Sequence, residues 1–135
     1  MLKKSLLLGV TSGVLSGVAS VIFAGVYKET MFTDFSPVMP TMKLMGACMF
    51  VCVLASVGYV GVMKFLPKSG NIVFNLIFTF LTFASIILPI AYKFPPELDV
   101  PGIDEITMLF IPFAMTLHFF PSLIWFTLKP IFIKS

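Results

Sequence analysis

Four long runs of apolar residues, separated by short polar segments, make up most of the chain. They cover residues 5–27, 41–65, 71–92 and 106–128. Each run has roughly the 20 residues that an α-helix needs to cross the hydrocarbon core of a bilayer. Because lipid offers no hydrogen-bond partners to the backbone, a segment inside it must be helical. The pattern predicts an all-α integral membrane protein, with four transmembrane helices in an up-down bundle and a single domain over residues 1–135.

The composition supports this class. Hydrophobic residues make up 59% of the chain and charged residues only 11%, whereas a soluble domain carries roughly 25% charged residues. Most of the surface must therefore face lipid. The first run does not resemble a cleaved signal peptide, because it is too long for an h-region and its small residues recur throughout.

The positions of the lysines predict the topology. All nine basic residues are lysines, and most lie beside the chain ends or the turn between the second and third runs. These are Lys3, Lys4, Lys64, Lys68, Lys129 and Lys134. Only Lys28, Lys43 and Lys93 flank the other two loops. The bias predicts that both termini are cytoplasmic. We expect a bacterial inner membrane as the location and membrane lipid as the surroundings. We expect no nucleic-acid partner, because no basic patch is interleaved with aromatic residues.

The loop between the first and second runs contains Ser36 directly before Pro37. Serine is a favoured N-cap, and proline is favoured at the first helical position. The loop is therefore predicted to contain a short interfacial helix that begins at Ser36.

The first run contains small residues on one helical face. At about 100° per residue, the glycines and serines lie on one broad, nearly side-chain-free surface. They are Gly9, Gly13, Gly17, Ser16 and Ser20. Small residues let helix backbones approach closely in lipid. The face is predicted to pack either against another helix of the same chain or against a partner, which would be a second copy or another membrane protein.

The second run presents sulfur-containing side chains on one face. Met45, Met49 and Cys52 share this face, and Cys48 lies beside it. Thioether and thiolate groups suit Cu(I), so these three residues are candidate metal ligands. The alternative is that methionine fills gaps between helices and cysteine acts as a small hydrophobic residue. No other feature of the sequence indicates a cofactor, and we expect none.

The third run has a polar stripe on an otherwise aliphatic and aromatic helix. Asn75, Thr82 and Ser85 lie close together on a helical wheel with Asn71, and Thr79 lies at the edge of the stripe. Such a stripe must face the protein interior or water. It either hydrogen-bonds to neighbouring helices or lines a polar path.

The fourth run contains His118, the only histidine in the chain and the only ionisable residue within the run. Ser122 and Trp125 follow on roughly the same helical face, and Pro112 and Pro121 are expected to bend the helix. A titratable group at membrane depth is a functional candidate. At about 1.5 Å per residue, His118 lies level with Cys52 of the second run. We therefore predict a polar layer around His118, in which it hydrogen-bonds to Thr82, to Cys52 or to a carbonyl group.

No motif identifies an activity. The sequence contains no Ser-His-Asp order, CxxC, HExxH or phosphate-binding loop, and general acid–base catalysis requires positioned partners that the runs do not supply. These features point away from an enzyme. The expected function is a non-catalytic binding or assembly module that acts through helix faces and the layer around His118. The alternative is a small transporter or channel for protons, a small solute or a soft metal, with a path along the third helix and His118.

Overall fold

The structure, a computed structural model, describes residues 1–32, 40–93 and 103–134, without the side chains of 103–107. The helices in these ranges are α1 (Leu2–Met31), α2 (Thr41–Phe65), α3 (Gly70–Ser85), α4 (Ile87–Ala91) and α5 (Ile103–Phe132). The interfacial helix predicted at Ser36 lies outside the described residues. The prediction of an all-α protein with four helices long and apolar enough to cross a membrane is confirmed, if α3 and α4 are counted as one span.

The third span is interrupted near one end, which the apolar run did not reveal. α3 ends at Ser85, and α4 begins at Ile87. The cause is Pro89, which has no N–H to donate and whose ring crowds the carbonyl group four residues earlier, that of Ser85. The Ile86 N–H instead bonds to the carbonyl of Phe83 at 3.2 Å. Ser85 therefore lies at a helix end.

Consecutive spans in the chain run antiparallel. Along the α1–α2 interface, Ser16 pairs with Cys52, and the later Ser20 pairs with the earlier Cys48. α3 and α5 show the same reversal. Both chain ends and the α2–α3 turn therefore lie at one end of the bundle, which we call the terminal end. The opposite end, where α1 finishes and α5 begins, is the loop end.

α1 uses its glycine face to pack against α2 of the same chain. A Cβ atom added at Gly9 would lie 2.9 Å from the Cys52 carbonyl oxygen, and one at Gly13 would lie 2.8 Å from the Met49 Cα. At Gly17 it would lie 2.5 Å from a methionine sulfur, that of Met45. Of the two partners predicted for this face, the structure places α2 against it. At Gly9 and Gly13 the absence of a side chain permits a close approach of the two backbones.

The buried apolar side chains form two clusters, one near each end of the bundle. The terminal-end cluster contains Leu8, Cys52, Ala55, Tyr59, Phe74, Phe78 and Trp125. The loop-end cluster contains Leu44, Phe110, Phe113, Ala114 and Leu117. Large apolar side chains also cover much of the outer surface, including Phe65, which is 83% exposed, and Phe80, which is 72% exposed. This surface has the apolar character of a membrane-spanning bundle.

Candidate functional site

A cleft of about 660 Å³ lies between α2, α3 and α5. Its walls include side chains that are also exposed on the outside of the bundle, among them Leu54, Leu81 and Leu88. The cleft is therefore open along the side of the bundle rather than sealed within it. Its volume lies within the roughly 300–1,000 Å³ that is usual for small-molecule sites.

The cleft is apolar except for a group of six side chains, which we call the polar floor. These are Ser20, Cys48, Thr82, Ser85, His118 and Ser122. Within the described ranges, no acidic side chain and no lysine lines it. Four members of the polar floor were predicted as ligand- or path-lining residues, and the structure brings these four together around the cleft.

His118 is held by Ser85. Its Nδ1 lies 3.1 Å from the Ser85 Oγ, and both side chains are half-buried. The partner is thus Ser85 rather than Thr82 or Cys52, because the antiparallel register pairs His118 with the last residue of α3. In the part of the chain that the structure describes, no group hydrogen-bonds to the other ring nitrogen, Nε2.

Thr82 and Ser122 form a second pair in the polar floor. The Thr82 Oγ1 lies 2.8 Å from the Phe78 carbonyl oxygen and 3.1 Å from the Ser122 Oγ. The Ser122 hydroxyl donates in turn to the carbonyl of Phe119 at 3.5 Å. Threonine and serine satisfy themselves in this way inside apolar helices. The pair ties α3 to α5 beside His118.

Cys52 lies outside the cleft, in the α1–α2 interface. Its side chain is fully buried, with the sulfur 3.8 Å from the Ser16 Oγ and 3.7 Å from the Pro121 carbonyl oxygen. Met45 and Met49, the other candidate metal ligands, place their sulfur atoms over Gly17 and Gly13. These positions are those of gap-filling side chains. Among the described residues, no group of three or more His, Cys, Asp or Glu side chains is arranged to hold a metal ion.

A second polar site, at the terminal end, surrounds Lys129. Only 9% of this residue is exposed, and its ammonium group donates to the Oδ1 atoms of Asn71 and Asn75, the latter at 2.8 Å. The nitrogen also lies 4.5 Å from the ring centroid of Tyr59 and 5.3 Å from that of Trp125. Amide oxygens and aromatic faces both attract a cation. We call these residues, together with Phe74, the Lys129 cage.

The Lys129 cage was missed in the sequence, where Lys129 counted only as a charge flanking an apolar run. Two predicted site residues, Asn75 and Trp125, belong to this cage rather than to the surroundings of His118. The spacing of two asparagines in the third run indicated this site. Asn71 and Asn75 lie one helical turn apart at the start of the third run, and an antiparallel fourth helix places its last lysine at that level.

Thr79 joins neither site. Its side chain is exposed on the outside of the bundle, because it lies about 60° around the helix from Thr82 at about 100° per residue. Between the polar floor and the Lys129 cage, the interior is filled by the buried ring of Phe78, which packs against the cage rings of Phe74 and Trp125. In the described residues, the polar groups of α3 and α5 therefore form two separate sites rather than a continuous path.

The Trp125 indole links the cage to the helix interface. Its Nε1–H donates to the Ser56 Oγ at 2.9 Å, and the backbone carbonyl of Ser56 accepts a hydrogen bond from Ser5 at 2.8 Å. Three helices thus meet at this end of the bundle through fully buried polar groups.

No protein-family model, no curated protein and no solved structure matches the chain.

Proposed function

We propose that this protein is a non-catalytic binding module of a membrane, and that its cleft admits a lipid-soluble molecule from the bilayer. The observation that carries the proposal is the combination of an apolar cleft open along the side of the bundle with a polar floor around His118. Largely apolar pockets with a few convergent polar groups are typical of small-molecule sites. The apolar walls would hold the body of the ligand, and the polar floor would hold its head.

The proposal includes a membrane orientation. Five exposed lysines lie at the terminal end and three at the loop end, which favours a cytoplasmic terminal end. They are Lys3, Lys4, Lys64, Lys68 and Lys134 against Lys28, Lys43 and Lys93. Lys129 adds to the first group in the sequence although its ammonium group is buried. We further propose the inner membrane of a bacterium as the location, from the compact size and this lysine pattern.

A small transporter or channel is the second candidate function. Transport along the third helix requires polar groups in succession, and the ring of Phe78, packed against Phe74 and Trp125, interrupts them. Assembly through the glycine face of α1 also has less support, because α2 already covers that face.

The test is saturable labelling of the cleft in lipid nanodiscs. The probe is a long-chain hydrocarbon with a photoreactive diazirine group, and labelled residues are mapped by mass spectrometry. We expect labelling of the cleft walls to saturate as the probe concentration rises, since a defined site has a limited capacity. Labelling of the outer faces, such as that of Phe80, should instead rise in proportion to the probe.

Two substitutions on α2 provide a matched pair. Ala47 lines the cleft, whereas the adjacent Gly46 has no atom within 4 Å of the position of a Cβ. Ala47→Phe should reduce saturable labelling at least about fivefold by filling the cleft, and Gly46→Phe should leave it unchanged. Labelling of the walls that never saturates, or that is equal in both variants, would contradict the proposal.

A further inference from the structure

The hydrogen bonds around Ser85 fix the tautomer of His118. The Ser85 hydroxyl has one hydrogen, and its Oγ lies 2.7 Å from the Thr82 carbonyl oxygen, which can only accept. That hydrogen is therefore used within α3. The contact of 3.1 Å between Ser85 Oγ and His118 Nδ1 then requires the hydrogen to come from the histidine. A neutral imidazole that carries its hydrogen on Nδ1 has an acceptor at Nε2.

Nε2 is left available at the cleft. His118 lines the cleft, and within the described ranges no residue donates to Nε2. The hydroxyl hydrogens nearby are already directed to carbonyl groups, as in Ser85 and Ser122. The part of the polar floor beside His118, formed by Ser85, Thr82 and Ser122, therefore offers acceptors to a bound molecule rather than donors. A ligand group with a hydrogen-bond donor is complementary to these acceptors.

The surroundings narrow the chemistry of that group. An ammonium head would be desolvated without a carboxylate partner, since the described lining of the cleft has no acidic side chain. An amide or carboxyl head at Nε2 would find no free donor among Ser85, Thr82 and Ser122 for its carbonyl oxygen, which costs free energy in an apolar site. A hydroxyl group needs only the one acceptor. Its small size also suits a polar floor that lies between two apolar core clusters.

We infer that His118 binds the hydroxyl group of a long-chain apolar alcohol, with the ligand O–H donating to Nε2 and the chain lying along α2 and α3. This inference rests on the proposed function, because it presupposes that the cleft admits a lipid-soluble molecule. Ser85 is a positioning residue in this scheme, because it acts only by holding the tautomer of His118.

The test displaces the photoreactive hydrocarbon from the wild-type protein in nanodiscs with a matched series of competitors. The series is hexadecanol, its methyl ether, the methyl ketone of the same length and hexadecane. Hexadecanol should displace the probe at a concentration at least about tenfold lower than the other three, which is the effect of one well-placed hydrogen bond in a buried site. The ether and the ketone share its oxygen but cannot donate.

Two variants then assign the effect to the ring nitrogen. His118→Phe keeps a planar ring without an acceptor, so the alcohol should lose its advantage over hexadecane, whatever the affinity of the cleft for the hydrocarbon itself. Ser85→Ala releases Nδ1, so that Nε2 can carry the hydrogen. The concentration at which the ketone displaces the probe should then fall relative to that of the alcohol. A merely structural role for Ser85 would weaken all four competitors equally.

The possible outcomes separate the two proposals. If the four compounds compete equally, the cleft binds apolar molecules and the role of His118 is overturned. If the ketone competes as well as the alcohol in the wild type, the assigned tautomer is wrong. If none of them displaces the probe, the proposed function fails and the inference fails with it.

Discussion

At the scale of single residues, the least expected feature is the burial of Lys129. A lysine that follows an apolar run usually extends its flexible side chain towards water or lipid headgroups. Lys129 instead directs its ammonium group into the bundle, where two asparagine oxygens and aromatic rings surround it. In the described part of the chain, no carboxylate pairs with it. The cation is stabilised by dipoles and ring faces, so it joins α5 to α2 and α3.

Removing this cation should destabilise the protein. Lys129→Met keeps a long apolar stem but leaves the oxygens of Asn71 and Asn75 without their donor. Half-buried acceptors left without a donor and lost cation–π contacts together predict a free energy of unfolding lower by about 1–3 kcal/mol. Denaturant unfolding in detergent micelles measures the change. Lys134→Met, which removes an exposed lysine near the same end, should change it by less than about 0.5 kcal/mol.

A double substitution checks the cause. If the unpaired oxygens produce the loss, Lys129→Met combined with Asn75→Leu should recover part of the stability, since replacing both partners removes the unsatisfied group. Equal effects of Lys129→Met and Lys134→Met would show that the buried contacts contribute nothing.

At the scale of elements, the stability of the α1–α2 interface depends on the positions at which the two helix backbones are in contact. The position of a Cβ at Gly13 conflicts with the Cα of Met49, which cannot move without α2. At Gly17 the short contacts are to the side chain of Met45, and its Cα is 3.4 Å away. Two glycines one turn apart in the same face thus meet different obstacles, one rigid and one flexible.

This difference predicts different responses to alanine. Gly13→Ala should lower the free energy of unfolding by about 1–3 kcal/mol, as overpacking does, and Met49→Ala should not restore it, because the clash with the Met49 Cα remains. Gly17→Ala should be relieved by Met45→Ala. Gly25→Ala is the control. With no atom within 4 Å of its Cβ position, it should be neutral or stabilising by up to about 1 kcal/mol. Equal losses at all three glycines would contradict the packing scheme.

At the scale of the whole molecule, the helical spans could be predicted from the sequence and most side-chain partners could not. Hydropathy is a local property, and α2 begins and ends at the limits of the second apolar run. Which side chains contact each other depends on the rotation and the register of two helices at once. The polar stripe of the third run therefore divides in the structure. Ser85 faces His118, Asn75 faces Lys129 and Thr79 faces outward.

The proposed orientation of the bundle makes a prediction that can be tested in cells. A cysteine introduced at Ser69, in the α2–α3 turn, should react with a membrane-impermeant maleimide only after the cells are permeabilised. A cysteine introduced at Lys93, at the loop end, should react in intact cells. The native Cys48 and Cys52 are both buried, so the background should be low. Labelling of Ser69→Cys in intact cells would reverse the topology.

The rings of Phe74 and Phe78 belong both to the cleft wall and to the neighbourhood of Trp125, with centroids 5.2 and 5.5 Å from that of the indole. The chain contains no other tryptophan. Its tryptophan emission consequently arises from one fully enclosed fluorophore, separated from any occupant of the cleft by a single layer of rings. The protein thus carries an intrinsic optical reporter, and occupancy can be followed without attaching a dye.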